Sequence, residues 1–239
     1  MMTQRKQHFF FPALMVFLGL TALGYLLSAA IIQHKQMDRS VTVKGLSERE
    51  VQANVAIWPI SYSVADNQLS NLYASIESNN QMIVDYLLAR NLPDDAISFS
   101  PPAITDKQAQ NYGGDASSPY RFVGQQTVTV YSTDISTVRQ AMTGLSELGK
   151  QGIVIRGSDY DNRTEYLYTS LNDIKPAMIE EATRNARQVA QKFATDSDST
   201  LGKIKQARQG QFSISDRDQN NPHIKKVRVV STIEYYLSD

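Results

Sequence analysis

The chain has 239 residues, with 24 Lys and Arg against 24 Asp and Glu, three His and no Cys. A formal net charge of zero offers no global basic field for nucleic acid, so a nucleic-acid partner is not expected. The lack of cysteine excludes thiol redox chemistry, thiolate zinc sites and a cysteine nucleophile, and leaves stability to packing or assembly.

Residues 1–8 carry Arg5 and Lys6, and Phe9 to Ile32 come next without a charged side chain: FFFPALMVFLGLTALGYLLSAAII. As a helix this run is about 36 Å long, enough to cross a hydrocarbon core of about 30 Å with some tilt. Segment 9–32 is therefore predicted to be a transmembrane anchor, with 1–8 cytoplasmic because basic residues stay inside. The competing reading is a signal peptide cut near Ser28-Ala29-Ala30. Against it, signal-peptide cores run about 7–15 residues. Both readings export the remainder of the chain. His8 and His34 bracket the segment as interfacial residues. Residues 33–40 read as a short polar linker, and 41–239 as the exported domain.

Val41-Thr42-Val43 opens a strand, and Gly45 to Glu50 reads as a turn. In the next strand Val51, Ala53, Val55 and Ile57 alternate, then Trp58, Ile60, Tyr62 and Val64. That slip of one residue, with Pro59 beside it, predicts a bulge, and Trp58 reads as a core residue there. A helix is predicted over 67–90. Its apolar stripe is Leu69, Leu72, Tyr73, Ile76, Ile83 and Leu87, it is capped by Asp66 or Asn67, and Asn91 and Pro93 end it. Asn79, Asn80 and Gln81 are expected to face water. Ile97-Ser98-Phe99 begins a strand that Pro101-Pro102 cuts short, Lys107 to Pro119 reads as a flexible hairpin loop, and Tyr120 to Tyr131 returns as a strand. A helix over 135–148, opened by Asp134 or Ser136 and closed by Gly149, precedes a strand within 151–160. The longest helix, 173–195, starts at Asn172 or Asp173 with Pro176 in its first turn. Ile174, Met178, Ala182, Ala186, Val189, Ala190 and Phe193 line one face, and its alanines permit close approach of another element. Strands over 204–212 and 227–237 close the chain. Consecutive strands without intervening helices argue for an α+β fold, a mostly antiparallel sheet with helices packed on it.

Chemistry is sparse. His223 is the exported domain's one histidine, in a polar loop beside Pro222. Glu180 and Glu181 are adjacent on a helix and read as a solvated face. Asp94-Asp95 sits in a turn, Asp159 and Asp161 lie two apart, and Asp216 and Asp218 share a loop with Arg217. A hard cation wants six to eight oxygens, and neither spaced pair comes in a recognisable loop. Gly113-Gly114 lacks the flanking pattern of a phosphate loop. No residue is therefore assigned a catalytic, cofactor-binding or metal-ligating role, and no cofactor is expected. Tyr112, Tyr120, Tyr131, Tyr160, Tyr166, Tyr168, Tyr235 and Tyr236 serve either as cross-strand pairs or at an assembly interface.

Three stretches in order resemble the SIMPL-domain family: the opening VTVKGLSEREVQANVA, the strand YRFVGQQTVTVY, and the helix EEATRNARQVAQKFA followed by LGKI. Asn185 stands where an acidic residue is frequent in that family. The resemblance covers residues 41 to 237. It implies an α+β domain in the bacterial periplasm, with relatives that include ring-forming antigens and an oxidative-stress defence protein. It carries no catalytic residues.

Three functions are weighed. The first is a non-enzymatic assembly or interaction protein, anchored in the inner membrane through residues 9–32. It would be homo-oligomeric, ring-like as in some relatives, with a protein partner not identified, and would support envelope or oxidative-stress homeostasis. The alternative is a periplasmic binding module for a small ligand or the cell wall, soluble if the N-terminal segment is cleaved. The third is a hydrolase using Asp159, Asp161 or His223.

Overall fold

The computed structural model describes residues 7–37, 39–109, 119–157 and 162–238. Asp159, Asp161, Tyr112, Tyr160, Gly113 and Gly114 lie outside the described residues, as do 110–118 of the expected hairpin loop. The elements run α1 (Gln7–Met37), β1 (Ser40–Gln52), β2 (Val55–Asp66), α2 (Leu69–Leu88), a short 3-10 turn (Asp94–Ala96), β3 (Ile97–Phe99), β4 (Ala103–Asp106) and β5 (Phe122–Ser132). They continue with α3 (Ile135–Thr143), α4 (Ser146–Lys150), β6 (Val154–Ile155), β7 (Glu165–Leu167), α5 (Leu171–Asp196), β8 (Thr200–Gln209), β9 (Ser213–Asp216) and β10 (Ile224–Ser238). The fold is α+β, with helices packed on antiparallel sheets. Within α1, Phe11–Ala29 is long and apolar enough to cross a membrane, and none of it is buried by the protein. Of the stretch 33–40, residues 33–37 continue α1 and Ser40 opens β1.

Contacts divide the chain into two units. One is Met1–Glu48, Lys175–Ser213 and Arg228–Asp239; the other is Arg49–Ile174 and Ile214–Val227.

In the first unit, β10 lies between β1 and β8. The expected turn at Gly45 to Glu50 is absent, because β1 runs unbroken through it. Val43, Gly45 and Ser47 are the buried alternate positions. Gly45 is there because α5 comes so close. A Cβ on it would sit 1.8 Å from the Ala182 carbonyl oxygen and 2.5 Å from the Ala186 nitrogen. Ala182, Ala186, Ala190 and Ala194 recur every four residues down the buried side of α5, while Val189 and Phe193, expected on that face, are exposed. Glu181 is not merely solvated: the Ser47 hydroxyl donates to it at 3.0 Å. Asn185 donates to the Leu46 carbonyl at 2.8 Å.

In the second unit, β3, β5, β2 and β6 form a sheet in that order, with β4 also on β5 and β7 also on β2. Leu72, Ile76, Ile83 and Leu87 of α2 are buried, and Trp58, Ile60, Tyr62, Val128, Val130, Val138 and Leu148 share a core with Ile83 and Leu87. Leu69 and Tyr73 of the expected stripe are exposed. The α2 helix ends as read, with Asn91 at φ 62°. The helix expected over 135–148 breaks into α3 and α4 at Gly144, where a Cβ would meet the Tyr86 hydroxyl at 2.9 Å. Asp134 does cap α3, accepting from the Thr137 N–H at 3.0 Å. No bulge occurs at Pro59. The β2–β5 register is continuous from Ala56↔Ser132 to Asp66↔Phe122, and Pro59 pairs with Thr129. Ser61 turns its carbonyl to the Arg156 N–H, and residues two apart share a direction. The donor that proline lacks therefore points into the stretch between β7, which pairs with 55–57, and β6, which pairs with 62–63.

Candidate binding face

Side chains alternate across a strand. With Trp58, Ile60, Tyr62, Val128 and Val130 turned to the helix-side core, the other face of β2 shows Ile57, Pro59, Ser61 and Ser63. These lie opposite Tyr131, Thr129, Thr127 and Gln125 of β5. Ser98 of β3 lies opposite Thr129. Ser100 joins by two bonds: its N–H donates to the Thr127 carbonyl at 3.0 Å, and its hydroxyl oxygen accepts from the Thr127 N–H at 3.1 Å. None of these ten positions carries a charge. Ala103, Val154 and Glu165 flank them on β4, β6 and β7.

A cleft of about 230 Å³ lies at the centre, lined by Ser61, Ser100, Gln125, Thr127, Arg156 and Asn162 among others. The Ser61 hydroxyl donates to Asn162 Oδ1 at 2.6 Å and shares a 2.7 Å hydrogen bond with the Thr127 hydroxyl. Arg156 donates to Gln125 Oε1 at 2.7 Å. The floor is held from behind. Buried Gln126 donates to the Ser100 carbonyl at 2.7 Å, and its own oxygen accepts from the Tyr62 hydroxyl at 2.9 Å and from Asn80 at 3.0 Å. Asn79 is buried and Asn80 partly so, contrary to the expectation that both face water. Burial pushes the Tyr62 phenol up to about 12, so at neutral pH it stays a hydroxyl able to donate. The arrangement offers hydroxyl and amide groups beside one guanidinium, that of Arg156, with the hydroxyl of buried Ser61 already bonded to Thr127 and Asn162.

A second cleft, about 330 Å³, is lined by Arg163, Glu165, Tyr166, Asp216 and Lys225 among others. Its charges pair with each other. Buried Lys225 bonds Asp216, and Arg163 stands 3.8 Å from the same carboxylate. His223 is nearby, its ring edge-on to Tyr166 with centroids 6.0 Å apart and its carbonyl accepting from the Ala53 N–H at 2.8 Å. Burial, then Arg139 and Arg217, lower its pKa against the opposing pull of Asp218. Asp218 accepts from Arg217 Nε at 2.8 Å and from the backbone N–H groups of Asn220 and Asn221 at 3.0 and 2.9 Å. Arg217 first, then Asn221, hold its carboxyl below the usual range. Of the residues weighed for hydrolysis, Asp159 and Asp161 lie outside the described residues, and His223 lies beside Tyr166. Asp216 and Asp218 each pair with a neighbouring basic side chain, and the His223 ring packs edge-on to Tyr166. Among the described residues no group of three or more His, Asp or Glu is placed to hold a metal.

Sequence reasoning missed the row of hydroxyl and amide side chains on this face. Its signal was the row between the core positions, Ser-x-Ser on β2 and Gln-x-Thr-x-Thr-x-Tyr on β5, in which no lysine or glutamate appears.

These features define an α+β module of antiparallel sheets behind an apolar N-terminal helix able to serve as a membrane anchor or a signal sequence. The SIMPL family, described as a protein of unknown function (DUF541), matches residues 41–231, and the chain belongs to that family. No curated protein matches its sequence.

Proposed function

We propose that this protein is a single-pass inner-membrane protein whose SIMPL domain lies in the periplasm. It self-associates and acts by contact, without catalysis, in envelope or oxidative-stress homeostasis. The observation that carries the reading is the join: the helix holding the unburied apolar span Phe11–Ala29 ends at Met37 and the first SIMPL strand opens at Ser40, which would keep the domain beside the bilayer. Self-association draws support from β1 and β8. Each pairs only with β10 among the described residues, and an unpaired strand edge is a template for another chain. The pairing of Asp216 with Lys225 and of Asp218 with Arg217 supports the non-catalytic part.

Light scattering on the full chain in detergent tests it. A defined oligomer is expected, and a strict monomer at high concentration overturns the assembly. A C-terminal reporter active only in the cytosol would overturn the topology. A second reading, an exported binding module for a small ligand or the cell wall, draws on the cleft lined by Ser61, Thr127, Gln125 and Arg156.

A further inference from the structure

We propose that two copies of this protein join along the free edge of β1, the strands pairing antiparallel about Thr42, with α5 meeting its mate over the join through Val189 and Phe193. The proposal rests on the self-association reading and names the surface that carries it.

The edge is the first argument. β1 is the outermost strand of its sheet, with β10 on its inner side. The Arg39 carbonyl accepts from the Leu237 N–H of β10 at 2.9 Å, and backbone groups two residues apart share a direction. Ser40, Thr42, Lys44 and Leu46 therefore turn their N–H and C=O groups to the free edge. Leu46 is already engaged, its carbonyl accepting from Asn185 at 2.8 Å. Ser40 to Lys44 is the open stretch. Directly opposite residues in a bonded antiparallel pair exchange two hydrogen bonds. Pairing about Thr42 sets Thr42 opposite Thr42 and each Ser40 opposite a Lys44, so every open position bonds. Pairing about Val43 would call on Leu46, and pairing about Lys44 would set like charges face to face.

The helix is the second argument. Glu181, Asn185, Val189 and Phe193 form one row on α5, each a residue ahead of a buried alanine. The first two meet β1: Glu181 accepts from the Ser47 hydroxyl, and Asn185 donates to the Leu46 carbonyl on the free edge. From there α5 runs towards the start of β1, and Ser199 beyond its end accepts from Arg39 at 3.3 Å. Val189 and Phe193 therefore stand beside the open stretch. They are 40% and 54% exposed. An unpaired edge flanked by exposed apolar side chains is the surface that a second strand and helix cover together. Ala186 and Ala190 of α5 pack with Val43 of β1 and with Ile233 and Tyr235 of β10, so the helix axis lies inside the edge. With strands about 4.8 Å apart, an axis over the boundary of β1 and β10 would stand about 10 Å from its mate, within the packing range of helices. Anchors holding both copies in one bilayer raise their effective concentration, as a linker does.

The test uses the full chain in detergent. Having no cysteine, it accepts a single one as a probe. Opposite residues of a bonded antiparallel pair have Cα atoms about 5.5 Å apart, within disulfide reach. Thr42→Cys is therefore expected to cross-link to its mate under mild oxidation with copper phenanthroline. Lys44→Cys, about 13 Å from its mate along the strand, should cross-link about tenfold more slowly. Val189→Glu or Phe193→Glu, each combined with Thr42→Cys, should slow the reaction about tenfold by placing a charge in the join. Tyr73→Glu, on the exposed side of α2, should leave it unchanged. Circular dichroism confirms that each variant folds. Three results overturn the proposal: no cross-link in Thr42→Cys; equal cross-linking of Thr42→Cys and Lys44→Cys; or cross-linking that neither glutamate slows. If light scattering still finds an oligomer in any of these cases, another surface such as β8 makes it and the self-association reading stands. A strict monomer overturns both.

Discussion

The two sheets are each backed by a helix, but they meet it differently. In the first unit the contact is nearly backbone to backbone: Gly45 lies under the alanine row of α5. In the second, long side chains of α2 fill the space over Trp58, Ile60 and Val128. Backbone contacts cannot yield, whereas side-chain ends can. The lesson is that a glycine in one sheet and a glycine in the other tolerate change unequally, although both lie in strands.

Gly45→Ala should break this contrast most directly. Its Cβ would overlap the Ala182 carbonyl, so strand and helix must part. The expected loss is at the top of the roughly 1–3 kcal/mol range for overpacking, or above it, read by denaturant unfolding. Gly124→Ala is the matched substitution in β5. Its nearest atoms are side-chain tips, Ile76 Cδ1 at 3.2 Å and Leu72 Cδ2 at 3.3 Å. Its cost should stay below about 1 kcal/mol, offset by the lower entropy of the unfolded chain. Equal losses for the two would erase the distinction.

Tyr62→Phe sharpens it from the side of the second unit. Removing the hydroxyl takes away the one proton that Asn80 Oδ1 and Gln126 Oε1 both face, at a cost of about 1–3 kcal/mol for leaving a buried acceptor short. The wild-type phenol is raised to about 12. The stability it contributes is therefore whole below its ordinary value of 10.0 and is lost as pH rises through about 12. Alkaline unfolding should show that loss, and Tyr62→Phe should lack it.

The smallest effect is expected at Asp134, which the Ser136 and Thr137 hydroxyls and the Thr137 N–H hold at about 2. Its contribution is whole above the ordinary carboxylate range and disappears as pH falls through about 2. Asp134→Asn should lower the unfolding midpoint slightly at pH 7, and the gap from the parent should close on acidification. A gap that persists at the lowest pH would show that the cap works through geometry and not charge.

Much of the fold was legible. The uncharged run that became α1, the alternation of β5 and β10, and the three- and four-residue spacing of α2 and α5 are local periodicities written in neighbouring side chains. Gly45 to Glu50 misled for a physical reason. Inward positions of a strand normally advertise themselves by large apolar side chains, but here Gly45 and Ser47 occupy them because α5 leaves room for nothing bigger. Asn79 and Asn80 misled in the same way, since a buried amide is signalled only by a distant partner, Tyr62 or Gln126 in the case of Asn80. Strands as short as β6 and β7 carry too few residues to show a period.

The sequence by itself determined the apolar N-terminal helix, the helix faces, the long strands and the α+β class, because each depends on residues within a few positions of one another. Only the tertiary structure decided that the strands divide between two sheets, that Asp216 and Asp218 each meet a basic side chain, and that serines and threonines of β2, β3 and β5 share one face of their sheet. Those facts depend on pairings between residues tens of positions apart, such as Ser61 with Thr127, whose register is set by the packing of the whole unit.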